Sequence, residues 1–137
     1  MNNLISVKSH KGVYQVEFYD SIKLELYDER KDIIFLIDRN IYNFYTKKIN
    51  KLAKKFSIIF INANEKNKSL ESIVKVYKKL LSKNVKKNFT IVAIGGGIIQ
   101  DITCFIASNL FRGISWEYIP TTLLSQCDSC IGSKSSI

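Results

Sequence analysis

An α/β fold with a mostly parallel, doubly wound sheet is predicted by three features of this 137-residue chain. Short apolar runs recur at Ile33-Ile34-Phe35-Leu36-Ile37, Phe56 to Ile61, Phe89 to Ile94 and Ile114 to Ile119, as expected of strands buried on both faces. Segments with a 3.6-residue apolar period lie between them, as crossover helices do. Gly95-Gly96-Gly97 then links one such run to an amphipathic segment, a strand–turn–helix order suited to binding an anion.

The elements follow in order. Val13 to Tyr19 and Ser21 to Leu26 read as an opening antiparallel strand pair, on the alternation of Tyr14, Val16 and Phe18. The run over Ile33 to Ile37 ends at Asp38, and a helix follows with Ile41, Phe44, Tyr45, Ile49 and Leu52 on one face. After the strand from Phe56 to Ile61, the polar stretch Asn62 to Lys68 is a loop. Ser69 opens a helix with an apolar stripe of Leu70, Ile73, Val74, Tyr77, Leu80 and Leu81. Phe89 to Ile94 is a strand, Ile98 to Leu110 the helix after the glycines, and Ile114 to Ile119 the last strand. Pro120 blocks an earlier helix start, so Thr121 to Cys130 is a short helix capped by Thr121 or Thr122. Residues 1–137 suit a single domain with one core. The last residues, Ile131 to Ile137, read as the middle of a functional loop, which makes this the expected first domain of a longer enzyme.

Composition narrows the class. With 46% hydrophobic and 24% charged residues the chain is an ordinary globular one, which excludes disorder. No apolar run approaches the ~20 residues of a membrane helix, and the N-terminus lacks the apolar core of a signal peptide. A cytoplasmic protein with no membrane partner is expected. The net charge of +9 raises a nucleic-acid reading. Its lysines are spread, however, over the polar sides of two helices: Lys47, Lys48, Lys51, Lys54 and Lys55 on one, Lys75, Lys78, Lys79 and Lys83 on the other. That is a solvated surface, so no nucleic-acid partner is expected, although the field favours anionic small substrates. Three cysteines without a secretory signal argue against a disulfide framework. Cys127 and Cys130 form a lone C-x-x-C, and the other cysteine, Cys104, and the single histidine, His10, do not make them a zinc site, so a structural role is expected.

Polar or glycine residues sit at the carboxyl end of each buried strand: Asp38-Arg39-Asn40, Asn62 to Lys68, Gly95 to Gly97, and Pro120-Thr121-Thr122. Doubly wound sheets bind their ligands at that edge. The triplet departs from the G-x-G-x-x-G fingerprint, so the sheet is Rossmann-like and not a standard Rossmann unit. Asp101 is either a favourable first-turn acid or an acceptor for a ribose or nicotinamide group. Asp38 can bind ribose hydroxyls or cap a helix. Glu65 and Lys68 can be surface charges; Thr121 and Thr122 can cap or face a nucleotide. Asp128 and Lys134 flank a glycine-containing turn and suit a substrate hydroxyl and phosphate. Arg112 can bind phosphate or close a helix C-terminus.

Taken jointly, these residues resemble the N-terminal domain of the 3-dehydroquinate synthase and wider sugar-phosphate cyclase family. The family pattern of glycine triplet, aspartate, R-G, P-T-T-L-L and D-S-x-x-G-x-K matches Gly95 to Gly97, Asp101, Arg112-Gly113, Pro120 to Leu124 and Asp128 to Lys134. Upstream, Asp38-Arg39-Asn40 resembles D-x-N, and Glu65 to Glu71 resembles E-x-x-K-S-L-E. The resemblance implies NAD contacts from Asp38, Asn40, Glu65, Lys68, Gly95, Gly96, Gly97, Ile98, Asp101, Thr121, Thr122 and Leu124. It implies substrate contacts from Asp128, Lys134 and Arg112, the last across a homodimer interface. The implied reaction of the full-length enzyme, a carbon–oxygen lyase, converts 3-deoxy-arabino-heptulosonate 7-phosphate to 3-dehydroquinate plus phosphate, in the shikimate pathway of aromatic amino acid biosynthesis. Its zinc or cobalt would be held by a C-terminal helical domain absent from this chain, leaving the fragment inactive alone and without metal ligands or catalytic residues of its own. Gln100 stands where dehydroquinate synthases usually carry glycine, and Ser133 where they carry a second glycine before the lysine. Those departures leave two alternatives: a cyclase for another sugar phosphate, or a metal-dependent polyol or glycerol-phosphate dehydrogenase.

Overall fold

The structure, a computed structural model, describes residues 4–9, 12–131 and 136–137. It contains a two-stranded antiparallel sheet, β1 (Leu4–Ser9) and β2 (Gly12–Glu17), and a four-stranded parallel sheet. The parallel strands are β3 (Ile33–Asp38), β4 (Ser57–Ile61), β5 (Thr90–Gly95) and β6 (Ser115–Pro120), in the order β4-β3-β5-β6. Three helices connect them: α1 (Arg39–Ala53), α2 (Leu70–Ser82) and α3 (Gly97–Asn109).

The strand order explains the layers. Chain progress moves outward from β3 to β4, then back across β3 to β5 and on to β6. Right-handed crossovers therefore put α1 on one face and α2 with α3 on the other. The core divides accordingly. Ile34, Leu36, Ile91 and Ala93 meet Ile73, Leu80, Ile99, Ile102 and Ile106 on the α2/α3 side. Ile33, Phe35, Ile37, Val92 and Ile94 meet Ile49 and Leu52 on the α1 side. All six residues of β3 are buried, the five of its apolar run together with Asp38 at the strand end.

The opening strand pair is present, with a different partner from the expected one. Gly12–Glu17 pairs with Leu4–Ser9, and residues 21–26 take no part. Leu24–Tyr27 is a short 3-10 turn. Its alternation resembles a strand, but the three-residue spacing of Leu24 and Tyr27 lets one turn bury both. Tyr27 stacks edge-on against Phe35, with ring centroids 5.4 Å apart.

Two helix faces are also corrected. Phe44 and Tyr45 do not join the buried face of α1; Phe44 is 79% exposed. A non-helical residue at Tyr45 (φ −122°, ψ 29°) shifts the phase between the two halves of the helix. Tyr42 instead meets Phe60, with centroids 5.2 Å apart. In α2 the buried line runs Ile73, Val76 and Leu80, leaving Leu70, Val74 and Leu81 exposed. The other predicted strands and long helices lie within a residue or so of their expected bounds, but the short helix expected over Thr121 to Cys130 is a π turn at Ser125–Ser129, and the loop from Asn62 to Lys68 holds a 3-10 turn at Glu65–Asn67. Ser69 caps α2 by accepting from the Ser72 amide.

Tyr27 also ties the 3-10 turn to the edge strand. Its hydroxyl donates to Glu117 (3.1 Å), whose other oxygen accepts from Arg30 at 2.6 Å. Burial first, then the Glu117 charge and hydrogen bond, raise the Tyr27 phenol above its ordinary pKa. The folded value lies above the unfolded one, so this stabilisation is complete below about pH 10 and is lost as pH rises through the folded value. Tyr27→Phe is expected to cost about 0.5–1.5 kcal/mol at neutral pH. It should also flatten the loss of stability above about pH 10. Urea midpoints across that range, read by Trp116 fluorescence, measure both; an unchanged alkaline slope would remove Tyr27 as its source.

Candidate functional site

The register brings the polar strand ends together. Asp38 pairs with Ile61, Ile37 with Ile94, and Gly95 with Pro120, so Asp38, Gly95 and Pro120 form one row at the carboxyl edge. The order in which strands are added reverses between β3 and β5, with one connection leading outward to β4 and the later ones to β5 and β6, and that switch point is where open α/β sheets bind ligands. Asp38, whose Oδ1 accepts from the Asn40 amide at 3.0 Å, caps α1 there. The Asn40 side chain is exposed beside it.

The three glycines are not equivalent. A Cβ on Gly95 would lie 2.5 Å from Ile99 Cγ1 and 3.2 Å from Asp38 Cβ. One on Gly96 would lie 3.1 Å from Thr122 Cγ2, and one on Gly97 meets only Ser129 Oγ, at 3.8 Å. Gly95 therefore allows α3 to pack against β5, and Gly96 allows the Thr122 loop to approach. Gly97 is the open member. No side chain caps α3 at Gly96, so the amides of its first turn are available to an anion among partly buried residues.

Around that turn the loops converge. Asn64 Oδ1 accepts from the Asn67 amide (3.0 Å), and Asn67 Nδ2 donates to the Asn62 carbonyl (2.8 Å). The folded-back loop carries Lys68 to Asp101 on α3, where Nζ donates to the carboxylate at 2.7 Å with both side chains largely buried. The Asp101 hydrogen bond raises the Lys68 pKa, burial opposes it, and the charges of Asp101 and Glu65 add to the rise. Glu65 itself is exposed on the same loop. Two residues expected to contact a ligand separately thus form one pair.

The β6 end completes the shelf. The Gly95 carbonyl accepts from the Thr121 amide (2.9 Å) and the Tyr118 hydroxyl (3.0 Å). Burial first pushes the Tyr118 phenol up to about 12. Thr122 is the cap: its Oγ1 accepts from the Ser125 amide, and its hydroxyl donates to Ser125 Oγ at 2.8 Å. The Thr121 hydroxyl is buried with no partner, one of three such groups among the described residues, with the Gln100 carbonyl and Thr103 hydroxyl. Leu123 and Leu124 are 77% and 73% exposed at the rim. Beyond them Ser125–Ser129 winds as a π turn, closed by Cys130 N to Ser125 O at 2.9 Å, with Asp128 exposed on it. Lys134 lies outside the described residues. Sequence reasoning missed Tyr118 and Ser125; a serine three residues after Thr122 is the capping spacing that signals the latter.

Arg112 stands apart. It precedes β6, so it lies at the amino end of the sheet, roughly 20 Å from the glycine turn at ~3.3 Å per strand residue. Phe111, Arg112 and Gly113 all have positive φ (51°, 63° and 101°), and Lys87 Nζ donates to the Gly113 carbonyl. The two non-glycine residues are held in an unfavourable conformation that projects an exposed arginine. The cysteines are free, Cys130 Sγ donates to the Gln126 carbonyl (3.0 Å), and burial raises its thiol pKa, which suits a structural role. No group of three or more His, Cys, Asp or Glu among the described residues could hold a metal ion.

Residues 58–137, which include the Lys68–Asp101 pair, the glycine turn and the β6 shelf, match the family model for the 3-dehydroquinate synthase N-terminal region. The chain belongs to the 3-dehydroquinate synthase family. The 3-dehydroquinate synthase of Clostridium tetani is 38% identical over 105 residues, covering 75% of this chain and 28% of that protein. That of Streptococcus equi subsp. equi is 36% identical over 141 residues, covering 98% of this chain and 39% of that protein. The chain thus spans well under half the length of these 3-dehydroquinate synthases. Among solved structures, 2-deoxy-scyllo-inosose synthase complexed with carbaglucose-6-phosphate, NAD+ and Co2+ superposes with a TM-score of 0.83 at 20% identity, over 98% of this chain and 39% of that one. The 2-epi-5-epi-valiolone synthase of Streptomyces hygroscopicus subsp. jinggangensis, with NAD+ and Zn2+ bound, superposes with a TM-score of 0.67 at 25% identity, over 76% of this chain and 31% of that one. The Rossmann-like sheet predicted from sequence is therefore the family's fold.

Proposed function

We propose that this chain is the NAD-binding domain of a two-domain, cytoplasmic 3-dehydroquinate synthase. The observation that carries the reading is the convergence of Asp38, Gly95 to Gly97, the Lys68–Asp101 pair and Thr121–Thr122 on one edge of the sheet. The site suits a dinucleotide: an uncapped helix start for the diphosphate, and a buried, unpartnered Thr121 hydroxyl beside it. The amides of Gly96, Gly97 and Ile98 hold the diphosphate. Asp38 and Asn40 face one ribose, while Glu65, Lys68 and Asp101 face the other end. Thr121, Thr122 and the exposed Leu124 close over the ligand. When bound, NAD accepts and returns a hydride, which makes a C–H next to the transient ketone acidic enough for phosphate elimination.

Asp128 and Lys134 orient the sugar phosphate. Arg112 projects from the far end of the sheet, so it meets a substrate phosphate only from a second copy, and the working unit is a homodimer. Zinc or cobalt belongs to the length its relatives have beyond this segment. No helix among the described residues is long and apolar enough to cross a membrane. The decisive assay supplies the full-length protein with 3-deoxy-arabino-heptulosonate 7-phosphate, NAD and zinc. Inorganic phosphate should appear without lasting NADH. Net NADH would favour a polyol or glycerol-phosphate dehydrogenase, and phosphate release from a different sugar phosphate alone would assign another cyclase activity.

A further inference from the structure

Gln100 is a buried carboxamide that local packing does not explain. It lies on α3 beside Asp101, is 4% exposed, and leaves its Oε1 without a partner. Its Nε2 donates to the carbonyl of Ser129, the last residue of the π turn that carries Asp128. Ser129 Oγ also stands 3.8 Å from where a Gly97 Cβ would be. Among the described residues, only two side chains more than ten positions away hydrogen-bond to the segment 125–131. One is Gln100; the other is Tyr14, whose hydroxyl donates to the Ile131 carbonyl at 2.8 Å. The remaining hydrogen bonds of that segment are local, including Gln126 N to Thr122 O and Cys130 N to Ser125 O.

We infer that Gln100 is a positioning residue, which couples the glycine turn to the Asp128-bearing segment by holding the Ser129 carbonyl. An unpartnered acceptor in a buried site opposes folding, so the amide is not explained by stability. Its donor sits on the first helical turn, where any ligand on the amides of Gly97 and Ile98 presses. Displacement there is passed through one hydrogen bond to Ser129 and so to Asp128. The tether stands on geometry alone; the coupling rests on the proposal that NAD occupies the glycine turn.

The test uses this 137-residue chain. Gln100→Met keeps an unbranched side chain of similar length and removes both polar atoms. Its urea midpoint should equal or exceed the wild type, while amide exchange at Gln126 and Cys130 rises by about tenfold or more, an opening worth about 1.4 kcal/mol. Gln100→Glu adds a pH signature. Its protonated acid can donate to Ser129 and its carboxylate cannot, so protection of those amides should be present at low pH and lost as the acid ionises. Unchanged exchange in Gln100→Met, or a lowered midpoint with the segment still protected, overturns the tether. For the coupling, NAD is titrated into labelled protein. Wild type should show amide shifts at Gly96 to Ile98 and also at Asp128 to Ile131; in Gln100→Met only the first set should remain. Equal shifts in both overturn the coupling. Absent shifts in the wild type overturn the coupling and the NAD reading together, and the exchange measurements, which need no ligand, tell that failure from failure of the tether.

Discussion

Gly95→Ala is expected to destabilise the chain by about 1–3 kcal/mol, whereas Gly97→Ala is expected to be nearly neutral. The added methyl at position 95 would meet Ile99 Cγ1 at 2.5 Å and Ile99 Cβ at 2.9 Å. Those atoms sit near the helix backbone, and Ile99 is fully buried, so no flexible tip can move aside. Relief requires α3 to lift from β5 or Asp38 to shift from the strand row, and either disturbs core and site together. At Gly96 the obstacle is the methyl of Thr122, an exposed residue on a loop that can yield, so its alanine variant should fall between the other two. At Gly97 the nearest atom is 3.8 Å away, and alanine is the better helix former. Urea unfolding monitored by Trp116 ranks the three variants. Equal midpoints for positions 95 and 97 would show that close helix–strand packing is not what the triplet provides.

Gly97→Asp should weaken NAD binding by at least about 100-fold, equivalent to about 2.7 kcal/mol, while leaving the fold intact. A Cβ at position 97 meets nothing closer than Ser129 Oγ at 3.8 Å, and an acid in the first turn of α3 favours the helix by about 0.3–1 kcal/mol. The same carboxylate would occupy the place proposed for the dinucleotide diphosphate and repel it. Stability and binding therefore move in opposite directions, which separates a ligand effect from a folding defect. Amide shifts of Gly96 and Ile98 during NAD titration read binding even when affinity is low. A Gly97→Asp chain that binds NAD as the wild type does would place the cofactor elsewhere.

The strands and the edge that carries the site were legible because each depends on local signals. Ile33–Ile37 reads as a strand buried on both faces, and a glycine triplet after such a run reads as the bend from strand to helix, which the structure narrows to Gly96 between β5 and α3. Helix faces were less legible. Phe44 and Tyr45 fit an ideal 3.6-residue period, but the kink at Tyr45 breaks that period, and no local residue such as proline announces it. Residues 21–26 alternate as a strand would, yet Leu24 and Tyr27 are buried by turning onto the α1-side core, where Tyr27 meets Phe35. Partners distant in sequence were invisible altogether: Lys68 with Asp101, Tyr118 with the Gly95 carbonyl, and Gln100 with Ser129.

Sequence by itself determined the α/β class, the strand order's raw material, the family pattern and the chemical character of each strand end. These follow from side-chain periodicity, from residues with unusual backbone freedom, and from the spacing of polar groups along the chain. Only the tertiary structure decided which glycine is needed for packing and which is open, that Lys68 and Asp101 neutralise each other, and that Arg112 lies at the opposite end of the sheet. Those outcomes depend on register and on the direction of each crossover. Both are set by how whole faces pack, and no short window of residues contains that information.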